Sequence, residues 1–206
     1  SCMIITVVYG VCLFITILML LNMAQKNYNN IDIYHWTILI LIPVVIMAYW
    51  LKTMITSPDA AYVLMCFQYL DSTFLAVAVI FYLLHNVGVN VKPWMKISLY
   101  GLAAVHLLIV CVNVNTDLYY SDVEVIQSAK GTAVHVTAAP LMLFHYIYLA
   151  IIVLCLATIV MIGIRRRGTY AKANVLVYLS LPLLNLVLSI IEGMTGANYS
   201  MLPVGY

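Results

Sequence analysis

Charge is what this sequence has least of. Only 8% of its 206 residues are charged, while 66% are hydrophobic and the mean hydropathy is +1.08. A soluble fold of this length needs a polar shell, and there is too little polar sequence here to build one. No basic face interleaved with aromatics exists, which excludes nucleic acid as a partner. The five cysteines, Cys2, Cys12, Cys66, Cys111 and Cys155, are odd in number and all lie in apolar spans. Their spacing suits neither a zinc site nor a disulfide framework, and they read as small hydrophobes. The first apolar stretch lacks a basic n-region and a small-residue cleavage site, so it reads as a transmembrane helix and not a signal peptide. Catalytic signatures are missing as well: no G-x-S-x-G, no H-E-x-x-H, no phosphate-cradling glycine loop and no pair of intramembrane aspartates. The expectation is a chain that is no enzyme, with no catalytic residues, no metal and no cofactor.

What is present is long apolar runs. A helix needs about 20 apolar residues to cross the hydrocarbon core. Six segments meet that length, at roughly 2–24, 33–54, 60–87, 96–114, 140–163 and 172–192. Aromatic residues mark their ends, with Tyr34 and Trp36 opening the second span, Tyr49 and Trp50 closing it and Trp94 preceding the fourth. Pro43 and Pro182 fall inside spans, where each frees a carbonyl and permits a kink. The final NYSMLPVGY turns apolar again and reads as the start of a seventh span. The predicted fold is therefore all-α, a polytopic transmembrane bundle with six spans present of seven. Residues 1–206 form one membrane domain whose seventh helix and cytoplasmic continuation are expected beyond it.

The few positive charges are sorted into alternate gaps. Lys26, Lys92, Lys96, Arg165, Arg166, Arg167 and Lys172 lie in the first, third and fifth connections, against only Lys52 and Lys130 in the second and fourth. By the positive-inside rule the first set is cytoplasmic and the N-terminus lies outside. RRRGTYAK at 165–172 is then a basic turn beside anionic lipid. The connection from Val114 to Ala139 is external. Its middle, DVEVIQSAKGTAVHV, alternates apolar and polar residues around Lys130-Gly131, which predicts a β-hairpin over the outer mouth.

Against this apolar background the polar residues inside spans stand out, because an intramembrane ionisable group costs about 3 kcal/mol on insertion scales. Asp71 falls near mid-membrane in the third span, with Gln68 three residues earlier. His106 and Asn113 approach the outer end of the fourth span, His145 and Tyr148 enter the fifth, and Asn185 with Glu192 closes the sixth. Asp71, Gln68, His106, His145 and Asn185 are the candidate ligand-binding residues, with Asp71 as the anchor for a cation or a hydrogen-bond donor. The competing role is interhelical hydrogen bonding that only locks the bundle. His106 and His145 sit at comparable depth on consecutive helices, which also raises axial haem ligation.

The order and spacing of these segments resemble the seven-transmembrane N-terminal sensor region of bacterial histidine kinases and diguanylate cyclases. The likeness is carried by FQYLDSTFLAVAVIFYLL at 67–84, NTDLYYSD at 115–122, PLMLFHYIYLAIIVL at 140–154, RRRGTYAKANVLVYLSLPLLNLVLSI at 165–190 and SMLPVGY at 200–206. Two departures are Ala139, where members often carry glycine before the fifth-span proline, and the lack of a histidine between Asn115 and Asp122. The resemblance implies a sensory input module of the bacterial cytoplasmic (inner) membrane. It further implies a homodimer that binds an unidentified small-molecule or lipid ligand and signals to a kinase or cyclase. The rival function is a small proton-coupled transporter using Asp71 and the histidines as a relay, and a haem protein ranks after it. A carrier needs polar groups at both faces, and the inner halves of the spans offer little beyond His85.

Overall fold

The computed structural model describes residues 2–27, 32–113, 117–128 and 131–165. Within them the chain is a set of long apolar helices with one β-hairpin: α1 (Cys2–Asn27), α2 (Ile33–Lys52), α3 (Pro58–Gln68), α4 (Ala76–Asn86), α5 (Pro93–Cys111), β1 (Tyr120–Ser128), β2 (Gly131–Ala138) and α6 (Met142–Arg165). Five stretches are long and apolar enough to cross a membrane: Thr6–Lys26, Ile33–Lys52, Pro58–Asn86, Pro93–Cys111 and Met142–Arg165. They correspond to the first five predicted spans within a few residues. The sixth span, with Asn185 and Glu192, lies outside the described residues, as does the start of the seventh.

Local chemistry sets the helix ends. The Asp32 carboxylate accepts from the Tyr34 amide at 3.1 Å to cap α2. Ser57 caps α3 by accepting from the Ala60 amide at 3.3 Å, ahead of Pro58, whose missing N–H costs nothing in the first turn. Pro93 plays the same part at the start of α5. Gly88 stops α4 at a φ of 71°, a conformation that a side chain would strain. Its amide donates to the His85 carbonyl and the next amide, of Val89, to that of Leu84, both at 2.9 Å. That pair of reverse bonds satisfies carbonyls that the helix leaves open.

The third span is not one regular helix. Between α3 and α4, residues Asp71–Leu75 form a π-helical turn in which the Leu75 amide reaches back to the Leu70 carbonyl at 2.9 Å. Such turns insert one extra residue into a helix and recur at functional sites. The Tyr69 carbonyl at its start accepts the Thr73 amide at 3.1 Å and the Thr73 hydroxyl at 2.6 Å.

The hairpin predicted by alternation is present and extends beyond the predicted stretch. β1 and β2 pair antiparallel, with Val123 opposite Val136 and Val125 opposite Val134, and an irregularity between Tyr120 and Asp122. Val123 is buried with Tyr119 and Tyr120 against Ala61, Met65 and Val110 of α3 and α5, while Asp122, Glu124 and Gln127 stay exposed. The hairpin thus lies over one end of the bundle with its apolar face inward. A second core, deeper in the bundle, joins Val77, Ile80, Phe81 and Leu83 of α4 to Ala103 of α5 and to Tyr148, Ile152 and Ile159 of α6. Large apolar side chains such as Phe14, Ile97, Leu143, Leu154 and Ile164 point outward and are mostly exposed, which suits contact with lipid.

Candidate functional site

Beneath the hairpin, residues far apart in sequence converge on His106 of α5. Its imidazole is completely buried. Its Nε2 lies 3.3 Å from Nδ1 of His145 on α6 and 3.4 Å from the hydroxyl of Tyr119. The Tyr119 hydroxyl donates to that of Tyr69 at 2.9 Å, and the Tyr69 hydroxyl in turn meets that of Tyr120. Aromatic rings wall the group in: Tyr69, Phe144 and Tyr148 all stand edge-on to His106, with centroids 5.7, 5.6 and 4.7 Å away. Two imidazoles and three phenols are therefore joined in one chain of polar contacts.

The π turn and Asn113 place these groups. Tyr69 stands two residues before the π turn, and the Tyr148 hydroxyl donates to the Thr73 carbonyl inside it at 3.3 Å, tying α6 to the break. Asn113 is fully buried and holds the loop that leads into β1. Its Oδ1 accepts the amides of Tyr119 at 2.6 Å and Tyr120 at 2.9 Å, and its Nδ2 donates to the Tyr120 carbonyl at 2.9 Å. Three backbone groups that the loop would leave bare are thereby satisfied. Burial pushes the Tyr119 and Tyr120 hydroxyls well above the ordinary tyrosine range, and for Tyr120 the nearby Tyr69 adds to the rise. Both phenols stay neutral at physiological pH and keep their protons for the chain.

The sequence-predicted residues divide among separate places. His106 and His145 come together. Gln68 is buried too, but it turns toward α2, where its Oε1 accepts from the Lys52 ammonium at 3.3 Å. Lysine has only donors, so this contact fixes the amide's orientation and leaves Nε2 buried with no partner among the described residues. Asp71 opens the π turn and is half-buried. Asn185 lies outside the described residues. Sequence reasoning passed over Tyr69, Tyr119, Tyr120 and Lys52; the Tyr119-Tyr120 pair next to a predicted strand was the available signal. Haem ligation does not suit the geometry. Two axial ligands of one iron stand on opposite faces of a porphyrin, whereas these imidazoles meet directly, their nitrogens 3.3 Å apart.

A second polar group lies at the opposite end of the bundle. His85 Nε2 is 3.8 Å from Asp32 Oδ2, and the Lys96 ammonium sits 5.2 Å from the centre of the Tyr34 ring. Tyr34, Phe81, His85, Asn90 and Lys96 line a small cleft of ≈ 80 Å³ there. The apolar core around Ile80, Phe81 and Leu83 lies between this cleft and the histidine–tyrosine cluster.

The family of the N-terminal 7TM region of histidine kinases matches residues 2–205 of the chain. No curated protein and no solved structure matches it. With the match covering nearly the whole chain, the protein belongs to that family and is a transmembrane sensor domain of the two-component type.

Proposed function

We propose that this chain, as a member of the N-terminal 7TM region of histidine kinases, receives a ligand at its hairpin end and passes the signal through its last helix to a cytoplasmic kinase domain. The observation that carries the reading is the buried cluster of His106, His145, Tyr69, Tyr119 and Tyr120 at the π turn. It joins α3, α5, α6 and the hairpin by groups that can exchange hydrogen-bond partners. A ligand that prefers one arrangement of these elements shifts the population toward it, and no signal arises without that difference in affinity.

The orientation follows from the charges: the end bearing Lys26, Lys92, Lys96 and Arg165 faces the cytoplasm, and the hairpin faces outward. The membrane is the cytoplasmic one, the working form is a homodimer, and the chain itself performs no catalysis. A proton-coupled carrier is disfavoured. Its relay has to continue between the two polar clusters, and the described residues between them form an apolar core.

The test compares the melting temperature of the purified chain across a library of small polar molecules, for wild type, His145→Gln and Asp71→Asn. A compound that stabilises wild type and loses its effect in His145→Gln supports a site at the cluster. One that loses its effect only in Asp71→Asn moves the site to the π turn. Equal stabilisation of all three contradicts both placements.

A further inference from the structure

The two contacts of His106 Nε2 are long for hydrogen bonds. Good N–H donors sit about 2.7–3.2 Å from their acceptors and point along one direction. Here a single nitrogen stands 3.3 Å from His145 Nδ1 and 3.4 Å from the Tyr119 oxygen. As edges of a metal coordination polyhedron the same separations are natural. Metal–nitrogen bonds of about 2.0–2.1 Å at the tetrahedral angle hold two ligating atoms about 3.3–3.4 Å apart. The facing nitrogens come from different helices, so the spacing is not imposed by a shared backbone. Nδ1 of His106 has no partner among the described residues. That holds with or without an ion, so it favours neither arrangement.

We propose that His106, His145 and Tyr119 form a binding site for a divalent first-row transition ion of the zinc–copper class. The donor set selects that class. Imidazole nitrogens suit zinc and copper, whereas calcium and magnesium take sites built from oxygen. No cluster of three His, Cys, Asp or Glu side chains exists among the described residues, and the third donor here is a phenol oxygen. His106 is wholly buried and His145 only half so, which gives an ion its approach along α6. An ion held this way fastens α5, α6 and the foot of the hairpin together. The inference rests on the proposed sensory reading for that consequence alone, and metal binding is read independently of it.

The full chain is purified without a polyhistidine tag, loaded with Zn²⁺ or Cu²⁺, passed through gel filtration and assayed for retained metal by mass spectrometry. Co²⁺ serves as a spectroscopic stand-in whose visible absorption reports tetrahedral ligation. One ion per chain is expected, kept in the control His35→Gln. In His145→Gln the affinity falls by more than the roughly 10–100-fold that follows loss of an outer-shell partner. Tyr119→Phe, a variant with little effect on packing, shifts the cobalt spectrum. Absence of a stoichiometric ion overturns the inference, as does wild-type binding by His145→Gln and His106→Gln together with an unshifted spectrum in Tyr119→Phe. Metal that binds as expected but leaves autophosphorylation of a histidine kinase domain joined to this chain unchanged supports the ion site and counts against the sensory reading. A chain that binds no metal but responds to another ligand separates the two in the other direction.

Discussion

Asn113 shows how much of the site depends on one side chain. It holds both amides and one carbonyl of the Tyr119-Tyr120 segment in a buried place. Asn113→Ala leaves those groups unsatisfied, and at about 1–3 kcal/mol for a buried unpaired group the expected loss is on the order of 3 kcal/mol. Asn113→Asp keeps the acceptor for both amides and loses the donor, so it costs less. Thermal denaturation in detergent measures the order wild type, Asn113→Asp, Asn113→Ala; equal melting temperatures for wild type and Asn113→Ala contradict the assigned role. A smaller effect is expected at Tyr148→Phe, which removes only the 3.3 Å bond to the Thr73 carbonyl, about 1 kcal/mol by the same measurement. At this scale the sequence was legible only in part. His106 and His145 declare themselves because ionisable groups are rare in apolar spans. Tyrosine is common in this chain, with sixteen copies, so nothing in composition separates Tyr69 or Tyr119 from the others. Their role appears once folding brings positions fifty residues apart within hydrogen-bond reach.

The element that matters most is the π turn, and its sequence, DSTFL, carries no signal that hydropathy or helical periodicity reads. The third span therefore looked like one continuous helix. The π turn breaks that helix from Asp71 onward, and ahead of it Gln68 faces Lys52 of α2. Deleting Ser72 lets the span close into regular α-helix. The wide turn, with the Thr73 carbonyl that holds Tyr148, is then lost while the two flanking helices keep nearly their present phase. The deletion is expected to keep helix content by circular dichroism while releasing Tyr148 from the third span. Loss of ligand stabilisation with retained helicity is the outcome that fits; retained stabilisation speaks against the turn as the device that ties α6 to the site. At the far end of the same span, Gly88→Ala strains a left-handed position and lowers stability by about 1 kcal/mol. The hairpin was readable because a strand's period of two differs from everything around it, and Val123 inward with Glu124 outward follows that alternation.

For the whole molecule, hydropathy located five described spans to within a few residues because the bilayer sets both their length and their composition. Orientation is a property of the entire chain, and it rests on where nine basic residues lie. In a cysteine-free background, Glu124→Cys on the hairpin is expected to react with an impermeant maleimide added to intact cells, and Met95→Cys only after lysis. The reverse pattern inverts the topology and with it the proposed outward-facing site. The central claim is that the histidine–tyrosine cluster sets the output. It is tested most directly by autophosphorylation in proteoliposomes of a histidine kinase domain joined to this chain, comparing wild type, His145→Gln and the lipid-facing control Leu143→Ala. The account predicts a clear change of output for His145→Gln at equal protein level and melting behaviour, with Leu143→Ala unchanged. Wild-type output from His145→Gln contradicts it.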